Sequence, residues 1–444
     1  MAVEKIKLPI IHQKVEPIIL TDLFANEPDR TADKRDIRVF RDLAKKIKEL
    51  SLDTKNDERI RLWGDHNSLK KTRPLVLCYP ENAYEEIIPY HNNSILEVKD
   101  PFLRQYEWYL RSQIFHWEEL CDDWIIKSKL KVPAVFNITT WGVEEIWDNP
   151  ADPAGAARFT PIIKEERELE KLEFPKLIYY KEETIRNLEY IQDIAGDILE
   201  PYIYFGIIPM FMGLGIGFFS RLRGLDQILI DMIDRPKWVH RAMEFFTEGT
   251  LKLIKDAEGR QLLGLNTADD YVGTGGMGYT NDLPQKDFSN RVRLKDIWGF
   301  GEAQELTGVS PTMLEEFVLS YQKKVLKNYG LNYYGCCEDL TTKFEVIKKN
   351  IPNLRRVSVA PWTNMEIASE ALGDEYVYVW KPNPADLAGD DFDEDLIRRK
   401  IKTGYDITKE NIVEIIMKDT HTLRRDPGRI KKWAGIAKEL AMEY

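Results

Sequence analysis

Between residues 311 and 440 the apolar pattern switches regularly between two periods. Residues 311–329, 340–350, 365–372, 394–401 and 427–440 place apolar side chains at the spacing of one helix face, whereas 331–336, 354–360, 376–380 and 412–418 are short apolar runs of strand length. Helix and strand in alternation, with short connections, is the signature of a parallel sheet, because a parallel neighbour is reached only by a long return path that a helix supplies. Upstream, residues 75–79, 132–138 and 202–208 read as further buried strands, and 262–268 leads into a turn-rich stretch. The total is eight or nine strands, which suits a closed (β/α)8 TIM barrel better than an open sheet. Residues 35–50 carry a helical stripe, so residues 1–70 are expected to be an N-terminal helical extension and residues 71–444 the barrel. Aromatics recur through 101–127 in the manner of helices packed on that body.

Charge narrows the function classes. The chain of 444 residues holds 63 basic and 74 acidic side chains, net −11, with both signs interspersed, which argues against a nucleic-acid footprint. No apolar run approaches the roughly 20 residues that span a bilayer, and Met1 to Leu20 lacks the basic start and apolar centre of a signal peptide. A cytoplasmic protein is expected. Its four cysteines, Cys78, Cys121, Cys336 and Cys337, include an adjacent pair poorly placed for a structural disulfide, so reduced thiols are expected too.

In barrels the reactive groups lie where strands end. Those positions hold Asp269, Asp270 and Tyr271, then Cys336 to Asp339, Pro361-Trp362, Lys381-Pro382, and finally Lys418-Asp419-Thr420-His421. Alternate strand residues share a face, so Tyr334, Cys336 and Glu338 are expected to project together. Free cysteines are often no more than small buried hydrophobes. Thiolate, imidazole and carboxylate are also what zinc accepts, and a catalytic zinc takes about three protein ligands. Cys336, Glu338 and His421 are the candidate set, with Cys337 as the replacement if the strand phase is shifted by one. The carboxylates of Asp269, Asp270, Glu302 and Glu338 permit a different reading, an acid and a base or nucleophile for glycoside cleavage, with Trp298 and Trp362 as a sugar platform. No G-x-S-x-G elbow supports a triad hydrolase. The glycines from Gly273 to Gly278 match G-x-G-x-x-G but run on into a turn-rich stretch, so a mobile or substrate-covering loop is expected in place of a dinucleotide cradle.

The segment from Leu225 to Pro236, reading Leu-Asp-Gln-Ile-Leu-Ile-Asp-Met-Ile-Asp-Arg-Pro and followed by Val239-His240, resembles the helical segment of the uroporphyrinogen decarboxylase superfamily. The likeness runs through the glycine-rich loop and residues 333–338 to the closing helix. The chain lacks a counterpart near Arg73 of the decarboxylases' early Arg-rich substrate motif, and is more similar to the corrinoid-dependent methyltransferase branch. In that branch a His-x-Cys pair after one strand and a Cys after the last hold zinc; here those positions are Tyr334, Cys336 and the neighbourhood of His421. The resemblance implies a (β/α)8 barrel that moves a methyl group from a small methylated compound, such as a methoxylated aromatic, to cobalamin carried on a separate corrinoid protein. It implies a zinc ion or a carboxylic acid to aid the leaving group, with Asp269 or Glu338 as the acid and Tyr271, Trp298 and Tyr334 lining the pocket. A homodimer is compatible with it. A barrel that only binds a ligand or tetrapyrrole, and a decarboxylase-like lyase, are the alternatives.

Overall fold

The computed structural model describes residues 30–90, 93–148, 158–205 and 215–444. Eight strands run parallel in it: β1 (Leu75–Cys78), β2 (Lys129–Pro133), β3 (Glu200–Tyr204), β4 (Trp298–Gly301), β5 (Leu331–Tyr334), β6 (Leu354–Val359), β7 (Val377–Trp380) and β8 (Ile412–Met417). Six of them form one sheet in the order β1-β8-β7-β6-β5-β4, and β2 pairs with β3 separately. The sheet thus follows chain order from β4 to β8 and returns to β1, the strand order of a TIM-like α/β fold. Among the described residues no ladder joins β1 to β2 or β3 to β4, so the hydrogen bonds do not close a barrel. Two short antiparallel ribbons, Phe136–Ile138 with Leu177–Tyr179 and Ile146–Asp148 with Arg158–Thr160, are added to this frame. The run expected as one strand over 132–138 is divided between β2 and the first ribbon.

Alternation along the strands sorts two apolar layers. Leu75, Leu77, Leu331, Tyr333, Val377, Val379, Ile412 and Ile416 fall in one buried cluster. Val76, Cys78, Tyr334, Tyr378, Trp380, Val413, Ile415 and Met417 fall in the other, with the side chains of the long C-terminal helices. The first cluster also holds Phe40, Ala44 and Ile47 of helix α1 (Lys34–Ser51) and Trp63 of helix α2 (Lys55–Asn67). Helix α1 starts where Asp33 accepts from the amides of Arg35 and Asp36. Asp36 is itself buried and accepts from the amides of Lys99 and Asp100, which ties the helix to the chain just ahead of the helix Pro101–Phe115.

The glycine-rich stretch is buried from Val272 to Tyr279, packed against the same face of the sheet as Tyr333 and Ile416. It folds as a hairpin closed by a bridge between Tyr271 and Met277. Two of its glycines are obligatory. At Gly276 φ is +82° and a Cβ would come within 1.7 Å of an Arg356 guanidinium nitrogen; at Gly273 φ is +62° and a Cβ would meet the Tyr333 ring at 2.3 Å. The sequence predicts a mobile or substrate-covering loop here; instead its glycines let the backbone pass close to Arg356 and Tyr333, and the stretch fills space within the fold.

Behind that hairpin lies a buried ion cluster. Arg356 pairs with Glu414 and donates to the Gly275 carbonyl at 2.7 Å, while His66 of α2 stands 3.4 Å from the other Glu414 oxygen. Burial pushes the His66 imidazole down toward its neutral form. Burial also opposes ionisation of Glu414, but Arg356 and His66 outweigh it and hold the carboxyl below its ordinary range. Asn67 donates to the carbonyls of Met277 and Tyr279, so α2 and the hairpin are locked together.

Candidate active site

The turn after β5 decides the site. Gly335 takes φ +97°, which breaks the strand alternation, and its amide still donates to the Gly301 carbonyl at 2.9 Å. Beyond it, Glu338 folds back and accepts from the amides of Cys336 (2.7 Å) and Ala303 (3.0 Å). Ser358 donates to the Cys336 carbonyl at 3.0 Å and the Trp362 indole to the Cys337 carbonyl at 2.9 Å. With their backbone pinned on several sides, Cys336 and Cys337 present thiols 3.4 Å apart, both half-buried.

Adjoining strand ends bring charge to these sulfurs. Lys381 follows β7 and Lys418 follows β8, and both ammonium groups act on the thiols. Lys418 lies 3.3 Å from Glu81 and 3.6 Å from Asp419, whose other oxygen is 3.8 Å from the Cys337 sulfur. Burial, then the neighbouring Lys418 charge, brings the Lys381 amine down to about 7. The shared hydrogen bond raises the Cys336 thiol and lowers that of Cys337, with Lys418 and Lys381 favouring the thiolate.

On the other flank, Glu302 follows β4. It is 2% exposed and accepts from the Gln304 amide at 2.6 Å. Burial, with the carboxylates of Glu305 and Glu338 nearby, pushes it well above the usual carboxyl range and favours its acid form. The Cys337 sulfur acts on it as well, which links the acid to the thiols and lysines. The arrangement offers a proton donor, a pair of thiols and positive charge at the C-terminal ends of four strands.

The residues expected from the sequence do not all meet there. Cys336 and Glu338 are together, but Glu338 spends its oxygens on two backbone amides. His421 is exposed and pairs through Nδ1 with Asn82 at 2.8 Å. Among the described residues no group of three or more His, Cys, Asp or Glu side chains is placed to hold a metal ion. Among the described residues the structure does not gather Cys336, Glu338 and His421 into a metal-ligating set. Asp269 lies in a different cluster, 3.4 Å from Lys131 of β2, which also holds Asp270 at 3.1 Å. Tyr271 packs edge-on against Tyr79 at 5.1 Å. Trp298 is buried and donates to the Gly278 carbonyl at 2.9 Å, bracing the hairpin. Tyr334 is fully buried in the helix-facing layer, because the strand alternation that was expected to carry it alongside Cys336 ends at Gly335. The lysines were visible as strand-end residues, but Glu302 stood in the sequence only as a candidate carboxylate, because no strand is expected at 298–301, where β4 lies; the convergence of positions 302, 337, 381 and 418 was not visible, since no sequence period connects them.

Fold and site together describe a mixed α/β protein with a parallel sheet and reactive side chains gathered where its strands end. Neither a protein family nor a curated protein matches the chain. Among solved structures it is similar to a methyltransferase from Methanosarcina mazei, at 12% identity and a TM-score of 0.48, over 85% of this chain and 97% of that one. A likeness of that size speaks neither to activity nor to substrate. Among the described residues no helix is long and apolar enough to cross a membrane.

Proposed function

We propose that the protein is a methyltransferase that moves a methyl group from a small methylated compound to cobalamin carried on a corrinoid protein. The reading is supported by the sequence resemblance and, most directly, by the buried acid Glu302 beside Cys337. When a methyl group leaves oxygen or sulfur, negative charge develops on the atom left behind, and the barrier falls if a proton or fixed positive charge meets it. Glu302, whose acid form is favoured by burial and by Glu305 and Glu338, supplies the proton. Lys418, held by Glu81 and Asp419, supplies the charge. Lys381, with its amine near 7, adds a second positive charge beside the thiols in its protonated form. The nucleophile is the partner's cob(I)alamin, and no step assigned to this chain runs through a metal ion.

The reading is tested by mixing the protein with cob(I)alamin and a panel of methoxylated aromatics, methylamines and methyl thioethers under anaerobic conditions. The methylcobalamin spectrum is expected to grow with one class of donor. Silence across the whole panel, with and without a corrinoid protein, overturns the reading.

A further inference from the structure

We propose that Cys336 and Cys337 form a two-thiol chelating site for a trivalent thiophilic element bearing one organic substituent, the class of the organoarsenicals. This goes beyond methyl transfer and does not depend on it. For sulfur bonds of about 2.3 Å, the length thiolates make to zinc, the 3.4 Å between the sulfurs subtends roughly 95° at a bridging atom. A pyramidal three-coordinate centre bonds near that angle. With the same bonds a tetrahedral ion would spread the sulfurs to about 3.8 Å and a linear one to about 4.6 Å.

The surroundings favour the same ligand. Among the described residues no third ligand-type side chain completes a metal set with the thiols, so the third substituent must be the ligand's own. Trp362 is 60% exposed and its indole donates to the Cys337 carbonyl, which holds an accessible aromatic ring against the same residue for that organic group. The thiols do not readily consume each other. The peptide between them is trans, which sets their Cα atoms about 3.8 Å apart, closer than the roughly 4.4 Å at which unstrained disulfides begin.

Capture of an arsenic(III) oxide, R–As=O, is balanced without an oxidant. Two S–As bonds form, the As=O bond breaks, and the two thiol protons leave with its oxygen as one water. Asp419, 3.8 Å from the Cys337 sulfur, accepts a proton on the way, and Lys418 beside it returns one to the departing oxygen.

Phenylarsine oxide is the probe, added to the reduced full-length protein and followed by intact mass and peptide mapping. One phenylarsenic per chain is expected on the peptide holding Cys336 and Cys337, resistant to millimolar mercaptoethanol and released by dimercaptopropanol. Exposed Cys121 stands alone and should give only an adduct that mercaptoethanol removes. Cys336→Ser and Cys337→Ser should each weaken retention at least about 100-fold, the loss expected when a second attachment is removed. Trp362→Ala should weaken phenylarsine oxide more than its methyl counterpart. The proposal is overturned by three outcomes: no mercaptoethanol-resistant adduct on the wild type, retention unchanged in either serine variant, or a pair already closed as a disulfide after reduction. Peptide mapping of the wild type decides the matter even where a variant does not fold.

Discussion

Lys381, at the end of β7, donates its side-chain amine to the backbone carbonyl of Thr274 at the tip of the glycine-rich hairpin. One side chain thus connects the buried hairpin to the thiol cluster, and its charge is unwelcome where it lies. In the folded chain its pKa falls to about 7 from 10.5.

Between those values the unfolded chain binds the proton more tightly, so stability rises with pH across that window and the penalty is complete below it. Lys381→Met removes the penalty. Its stability relative to wild type should be highest at pH 6, by a few kcal/mol, since each tenfold difference in proton affinity between the folded and unfolded chain is worth about 1.4 kcal/mol. The advantage should shrink steadily toward pH 10. Denaturant unfolding at a series of pH values checks this; a difference that does not change with pH would refute the placement of the amine.

The hairpin should not tolerate a side chain. Gly276→Ala drives a methyl into the Arg356 guanidinium, 1.7 Å from the ideal Cβ, at a φ of +82°. A loss of about 3 kcal/mol or more is expected, because overpacking and a left-handed residue add. Gly435, within the helix Gly428–Ala441, has nothing within 4 Å of its Cβ position. Gly435→Ala should instead stabilise by about 0.5–1 kcal/mol. Thermal melts of the two variants should move in opposite directions.

Glu414→Gln leaves the Arg356 charge buried without its counter-ion. Breaking such a pair costs about 3–5 kcal/mol. The double variant Arg356→Met with Glu414→Gln should recover much of that loss. Equal instability in single and double variants, measured by urea titration, would show that the charge is not what matters.

Much of this architecture was legible in the sequence. The period switch after residue 311 placed β5 to β8 and their helices within a few residues, since each run is long and bounded by turns. What was not legible depended on backbone. The positive φ at Gly335 removes Tyr334 from the site and sets the two thiols side by side, and nothing in a binary pattern announces such a turn. The hairpin reads as a cover in the sequence because glycine-rich loops commonly lie on surfaces; here its glycines mark close approach to Tyr333 and Arg356. His421 follows β8 at the expected place, yet its ring is engaged by Asn82, a contact between residues 339 apart in sequence.

The most direct measurement is the initial rate of methylcobalamin formation from cob(I)alamin and the active donor, compared between wild type and Glu302→Gln across pH. Burial raises the Glu302 pKa, so the acid form persists above the ordinary carboxyl range and is lost as pH rises through the raised value. Wild-type rates should fall along that limb, and Glu302→Gln should be slower by about 100-fold or more with the limb gone. An undiminished rate in the variant, or the same pH limb in both proteins, would contradict the assignment of Glu302 and of the strand-end cluster as the place where methyl transfer occurs.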